Sequence, residues 1–222
     1  MLKFSCPSCG AEIVFKSTAS IYGICSYCKS TTVRHDLNLE LYGKMSDLKE
    51  DLSPFCLGTK GFYKQQHFEL IGRLRLKWEN GFWNEWFVLL PNGLEAWLAE
   101  AMGFYMFSRP SNASNLPFAS EVKIGEKYKF QNTIFQVEDI KEATCIGSEG
   151  ELPFLAPVGR TITSIDLSSA DGLSFANLEY EQASAQLTTK LTAKRLYLGE
   201  YLNFDDFNFS NLREIEGWRY DH

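Results

Sequence analysis

The sequence predicts a mainly β protein: a small N-terminal ribbon followed by an antiparallel, barrel-like or sandwich-like β body. Three observations carry this. Four cysteines stand in two C-x2-C knuckles, Cys6-Pro-Ser-Cys9 and Cys25-Ser-Tyr-Cys28. Aromatic residues make up 14% of the chain, a bias toward strands. Turn dipeptides then separate runs in which apolar residues alternate with polar ones.

Residues 1–42 form the ribbon. Each knuckle offers two thiolates from one tight turn, and together they complete the tetrahedral set of a four-cysteine zinc site. Gly10 and Gly23 flank the knuckles, and glycine permits the positive φ such turns need. Four thiolates leave no open coordination position, so Cys6, Cys9, Cys25 and Cys28 predict structural zinc. Ala11-Glu12-Ile13-Val14-Phe15 reads as a strand between the knuckles. Val33, His35, Leu37, Leu39 and Leu41 read as one strand leaving the ribbon. A module this small buries too little apolar surface to fold without its metal.

Residues 43–56 read as a polar linker, with room for one helical turn capped by Ser46 or Asp47 and a stop at Ser53-Pro54. Residues 57–222 read as the β domain. Phe68 to Trp78 and Trp83 to Leu90 are strands about an Asn80-Gly81 turn, and Leu94 to Leu98 returns after Pro91-Asn92-Gly93. A weak internal echo follows: Leu57-Gly58, Lys60 and Phe68 recur at constant offset as Ile124-Gly125, Lys127 and Phe135. Asn92-Gly93-Leu94 is mirrored by Asp171-Gly172-Leu173. This predicts two related halves, 57–110 and 123–202, with extra residues in the second copy in an acidic loop from Gly147 to Phe154. Ser174 to Tyr180 and Ala185 to Leu191 are the last strands. An acidic, aromatic tail, Asn203 to Phe209, and Trp218 follow.

Composition narrows the function. A net charge of −6 argues against general nucleic-acid binding. The start of the chain has no apolar signal region, and the longest apolar run, 96–107, is too short to span a bilayer and contains Glu100. A cytoplasmic protein with reduced thiols is expected; three disulfides are the alternative pairing of six cysteines. No nucleophile elbow, phosphate loop, dinucleotide fingerprint or His-Glu-x-x-His helix occurs, which favours a non-catalytic protein.

Trp78, Trp83, Trp86 and Trp97 cluster within twenty residues of chain. On adjacent strands Trp83 and Trp97 share one face and Trp86 takes the other. They serve either as core packing or as an aromatic wall for a cation. Glu85, Glu100, Glu149, Glu151 and Asp166 are the acids to set beside them. The candidate ligand site is therefore Trp83, Glu85, Trp86, Trp97, Glu149 and Glu151. A converging pair of these acids would instead allow a carboxylate-dependent hydrolase. Cys56, Cys145, His35 and His67 read as ordinary buried thiols and surface imidazoles, with a Cys–His nucleophile as the chemical alternative.

Several of these segments together resemble domain of unknown function 4178: Leu57 to Gly61, Phe68 to Arg73, Trp83-Asn84-Glu85-Trp86, Trp97 to Ala101, Glu149 to Pro153 and Asp166-Leu167. The resemblance covers most of residues 1–205, including the preceding four-cysteine ribbon. It implies a bacterial protein without an assigned activity, accessory to a polyamine or envelope-stress system. Within that setting the reading is a zinc-ribbon adaptor with a protein partner. The alternatives are a protein binding a cationic small molecule such as a polyamine, or the hydrolase.

Overall fold

The computed structural model describes residues 1–45, 48, 51–112, 115–182 and 193–217. The ribbon holds β1 (Leu2–Ser5) and β2 (Glu12–Phe15), paired as a hairpin, then β3 (Tyr22–Ile24), β4 (Ser30–His35) and β5 (Asn38–Lys44). The body holds β6 (Lys60–Tyr63), β7 (Gln66–Trp78), β8 (Gly81–Leu89), β9 (Glu95–Ala101), β10 (Phe104–Ser111), β11 (Lys127–Phe130), β12 (Thr133–Leu152), β13 (Thr161–Ser169), β14 (Ser174–Glu181) and β15 (Lys194–Leu202).

Eight of these strands close an antiparallel barrel in the order β7-β8-β9-β10-β15-β14-β13-β12, with β12 returning to β7. Each half is a four-stranded meander, and the seams join first strand to first and last to last: β7 to β12, β10 to β15. Each half also carries a short outer strand, β6 on β7 and β11 on β12. The hydrogen bonds repeat with the strands. Gly58 N–H donates to the Leu70 carbonyl and Leu70 N–H to that of Thr59; Gly125 donates to Val137 and Val137 to Glu126. Gly58 and Gly125 hold φ of 87° and 86°, a left-handed conformation that glycine adopts without penalty.

Strand alternation divides every barrel residue between interior and exterior. Outside the first half, Phe55, Phe68, Trp86, Leu98 and Phe207 pack as one cluster; outside the second, Phe130, Phe135, Ile165, Leu178 and Leu196 form another. Trp86 is fully buried in the first of these. The acidic, aromatic tail supplies its cover: Phe204–Phe207 is a single 3-10 turn, and Phe209 packs 4.6 Å from the Phe55 ring.

The ribbon grows out of the barrel wall. The end of β12 leaves β7 and pairs with β3, placing Glu151 opposite Gly23 and Leu152 opposite Tyr22. Two glycines allow this crossing. A Cβ on Gly72 would meet the Glu151 carbonyl oxygen at 2.0 Å, and one on Gly150 would meet that of Ile71 at 2.3 Å. Among the described residues no helix is long and apolar enough to cross a membrane.

Several local expectations change. The run from Thr31 to Leu41 is a hairpin, because Asp36 takes φ 49° and turns β4 into β5. The strand β5 extends to Lys44, into the expected linker. Gly147 to Leu152 is strand rather than loop, and the excursion runs over 153–160. Gly23 lies in β3 without positive φ; its missing side chain makes room for Phe15, whose ring would meet a Cβ at 2.7 Å. Lys29, φ 60°, closes the second knuckle as Gly10, φ 77°, closes the first. The proposed Ser46 or Asp47 cap, the Ala185 to Leu191 strand and Trp218 lie outside the described residues. The last described strand is β15.

Candidate functional site

Two features carry chemistry: the thiol cluster of the ribbon and a cavity inside the barrel. The sulfur atoms of Cys6, Cys9, Cys25 and Cys28 all lie within 4.8 Å of one another. The Cys6–Cys28 and Cys9–Cys25 sulfur separations are 3.7 and 3.8 Å. A tetrahedral ion with metal–sulfur bonds of about 2.3 Å has edges of about 3.8 Å, so the four thiols are spaced to hold one. Backbone bonds shape the knuckles: Gly10 N–H donates to the Cys6 carbonyl at 2.9 Å and Lys29 N–H to the Cys25 carbonyl at 3.0 Å. The Cys28 sulfur lies 3.2 Å from the Ser30 hydroxyl, which holds this thiol down at about 6. Cys9 is pushed the other way, up to about 12: the Ala11 backbone bond lowers it, but burial and its cysteine neighbours outweigh that bond, so the thiols titrate together as one set.

The cavity measures about 320 Å³ and opens at one end of the barrel. Trp83, Trp97 and Met106 contribute its aromatic and apolar side, from β8, β9 and β10. Lys141, Asp166 and Asn177 face them from β12, β13 and β14. Phe82, Met102 and Phe104 border it while remaining 49%, 84% and 68% exposed, which marks the mouth.

Glu85 also lines this cavity. Its carboxylate accepts a hydrogen bond from Trp83 Nε1 at 2.9 Å, and it has no ion-pair partner among the described residues. Burial in the barrel pushes its pKa up to about 7, and the nearby Glu179 charge adds to this against the Trp83 bond and Arg160. The side chain keeps partial exposure because it borders the cavity. Asp166 is differently placed. It accepts from Lys141 Nζ at 2.7 Å and from Asn177 Nδ2 at 2.8 Å. Lys141 is further bound by Asp139 at 2.8 Å.

Beneath the cavity, buried charges close the barrel. Arg160 is fully enclosed and pairs with Glu179 at 2.5 Å and Glu181 at 3.0 Å, and Arg195 pairs with Glu179 at 2.7 Å. Burial opposes ionisation of Glu179, but Arg160 and Arg195 hold its pKa below the usual range. Phe154 lies under both guanidiniums, 4.8 and 4.5 Å from its ring centre, and stacks on Trp97 at 5.6 Å.

The structure thus brings together Trp83, Glu85 and Trp97 and separates the rest of the expected ligand set. Trp86 points outward and donates to buried Glu100 at 3.1 Å. Glu149, bridged to Arg73 at 3.6 Å, lies on the exterior. Glu151 anchors the ribbon, accepting from Lys16 N–H at 2.7 Å and Ser17 N–H at 3.2 Å. The physical reason is the strand β12 itself: Glu149 and Glu151 sit beyond the barrel interior, where the chain crosses to the ribbon. Sequence reasoning missed Lys141, Asn177 and Tyr197 as cavity residues. Cys145 is a buried thiol, pushed up to about 11 by desolvation. His35 lies on the surface, 3.4 Å from Glu40.

Comparison with known families gives one match: the family described as domain of unknown function (DUF4178), over residues 56–204. The matched span contains the barrel and leaves out the ribbon. No curated protein and no solved structure matches the chain.

Proposed function

The chain belongs to the DUF4178 family, and from that premise we propose that it is a non-catalytic binding protein whose barrel takes up a small organic cation. The observation that carries this reading is Glu85: a carboxylate without a cationic partner among the described residues, in a cavity walled by Trp83 and Trp97. An ammonium group there gains the carboxylate's charge and the faces of the indoles together. Asp166 is engaged by Lys141 and Asn177, so one open carboxylate remains, which supports binding over a two-carboxylate hydrolysis. In this reading the ribbon holds zinc, in a compartment that keeps thiols reduced, and has a scaffold role at the barrel wall.

The test is a tryptophan-fluorescence titration of the whole protein with benzyltrimethylammonium and with spermidine, beside Ala99→Phe, which fills the cavity from its wall. A saturable change that the filled variant loses supports the reading. Flat titrations to millimolar concentration with both probes overturn it.

A second reading, the adaptor of a bacterial polyamine or envelope-stress system, is favoured by the ribbon's surface. Tyr27, inside the second knuckle, and Leu37, at the β4–β5 turn, are 80% and 81% exposed. In this reading they are the apolar side chains that a partner would cover. Capture of one specific partner that is lost with Tyr27→Ser and Leu37→Ser would support it.

A further inference from the structure

Only one of the charges lining the cavity is left to bind a ligand. Asp166 and Lys141 pair with one another, and Asp139 takes a further share of Lys141. Of these, Glu85 alone makes no ion pair among the described residues; Arg160, whose charge reaches it, is held by Glu179 and Glu181. A second ammonium inside the cavity would meet Lys141 rather than a free carboxylate. The walls reinforce this count: the path to Glu85 runs along Trp83, Trp97, Met106, Phe104 and Phe82 on one side, and past Asp166 and Lys141, already paired with one another, on the other. A charged group on that path would lose its water with no partner in return.

Position sets the orientation. Glu85 lies on the inward side, close enough to Glu179 and Arg160 for their charges to act on it. Phe82, Met102 and Phe104 stand at the mouth. The deep end therefore attracts a cation; the entrance is apolar on the side of Phe82, Met102 and Phe104, and on the opposite side holds the half-exposed Asp166, which is paired with Lys141.

We infer that the ligand is a monocation with an apolar or aromatic body, bound with its ammonium inward at Glu85 and its body toward Phe82, Met102 and Phe104. This rests on the reading of the cavity as a cation site and narrows it. It sets multiply charged polyamines apart from the true ligand class: their ammonium groups are separated by short methylene runs, and each needs an acid of its own. The volume of about 320 Å³ is at the small end of ligand pockets and suits such a compact molecule.

The experiment is a calorimetric titration of the full chain with three probes: benzyltrimethylammonium, spermidine, and the neutral isostere 2,2-dimethylpropylbenzene. The monocation is expected to bind at least about tenfold more tightly than either of the others. Glu85→Gln keeps the side chain's shape and should remove about tenfold or more of that affinity. Phe104→Ser, at the exposed mouth, should weaken the monocation and leave spermidine unchanged. Tighter binding of spermidine overturns the inference while the cation site stands. Equal binding of the neutral probe, or an unaltered Glu85→Gln, overturns the orientation at Glu85. Silence from all three probes takes away the cation site and the inference together.

Discussion

The two halves of the barrel share their strand order, their seams and even their first backbone hydrogen bonds, yet they face the interior with opposite chemistry. The first half turns Trp83, Phe87, Trp97 and Met106 inward. The second turns Lys141, Asp166, Asn177 and Glu179 inward. Their outer faces share an apolar cluster under a short strand, and the first half adds a buried network beside its cluster, in which Arg73 and Arg75 pair with Asp51 and Trp86 donates to Glu100. Topology is therefore set by the outer clusters and the turns, and the interior is left free to specialise. Joining two such halves edge to edge gives a cavity whose first wall is mostly aromatic with one acid, Glu85, and whose second wall sets Lys141, Asp166 and Asn177 among Phe175, Tyr197 and Tyr201.

The halves should differ most at Glu179, for which the first half has no inward-facing counterpart. Glu179→Ala leaves buried Arg160 and Arg195 without their shared acid. A loss of about 3–5 kcal/mol is expected, since an uncompensated buried charge costs far more than the intact pair contributes. Denaturant unfolding measures it. A cost below about 1 kcal/mol would mean that water reaches Arg160 and that the polar wall is not a sealed floor.

The next test addresses the outer faces, where the halves should behave alike. Leu98 on β9 and Leu178 on β14 are both fully buried, one in each outer cluster. Leu98→Ala and Leu178→Ala should each cost about 2–5 kcal/mol, the range for a leucine cavity in a packed core. Similar values would show that the two outer cores carry equal weight. A cost concentrated in one half would mean that the repeated topology hides unequal cores.

How much of this was legible in the sequence depends on the face considered. The turns at Asn80-Gly81 and Pro91-Asn92-Gly93 and the alternation after Phe68 gave the first meander, because a half-buried strand writes its pattern residue by residue. The echo of Gly58 and Phe68 in Gly125 and Phe135 marked corresponding positions in the two halves. The interior of the second half was hidden for a physical reason. In β14, Phe175, Asn177, Glu179 and Glu181 alternate with Ala176, Leu178 and Tyr180, and the usual rule sends the charged set to solvent. Here the outer cluster claims the apolar set, so the charged set faces the barrel. Barrel closure was hidden too, because the β7–β12 and β10–β15 seams join distant segments with no local turn. The four cysteines were legible at once, since their spacing is the chemistry.

The halves also differ in what they carry at their ends. Among the described strands it is the second half that pairs with the ribbon, through the last residues of β12, while the first half is tied to it by the Lys16–Glu69 ion pair on β7. With the ribbon holding zinc as proposed, a chelator should therefore loosen the second half first. Hydrogen exchange is expected to speed up about tenfold or more across the ribbon and residues 147–152, with β8 and β9 still protected. Glu151→Ala, which frees the Lys16 and Ser17 amides, should give a milder form of the same pattern. Equal deprotection of both halves would make the metal a support of the whole barrel.

The smallest effect separates the two walls by pH. Glu85 belongs to the aromatic half, and Glu179, Arg160, Asp166 and Lys141 face it from the polar half and its connecting loop. Its ordinary value is 4.5 and burial raises it to about 7 in the folded protein. The folded state thus holds this proton more tightly than the unfolded chain does. Its contribution to stability is complete below pH 4.5 and is lost as the pH rises through about 7. A cationic ligand has the opposite preference, because it needs the carboxylate. Affinity for benzyltrimethylammonium, which carries no titrating proton, should be about tenfold weaker at pH 6 than at pH 8. Glu85→Gln should flatten both trends at once. If the free protein's stability instead rose between pH 5 and 7, the open carboxylate would already be neutralised within the fold, and the aromatic wall would have no charge to offer.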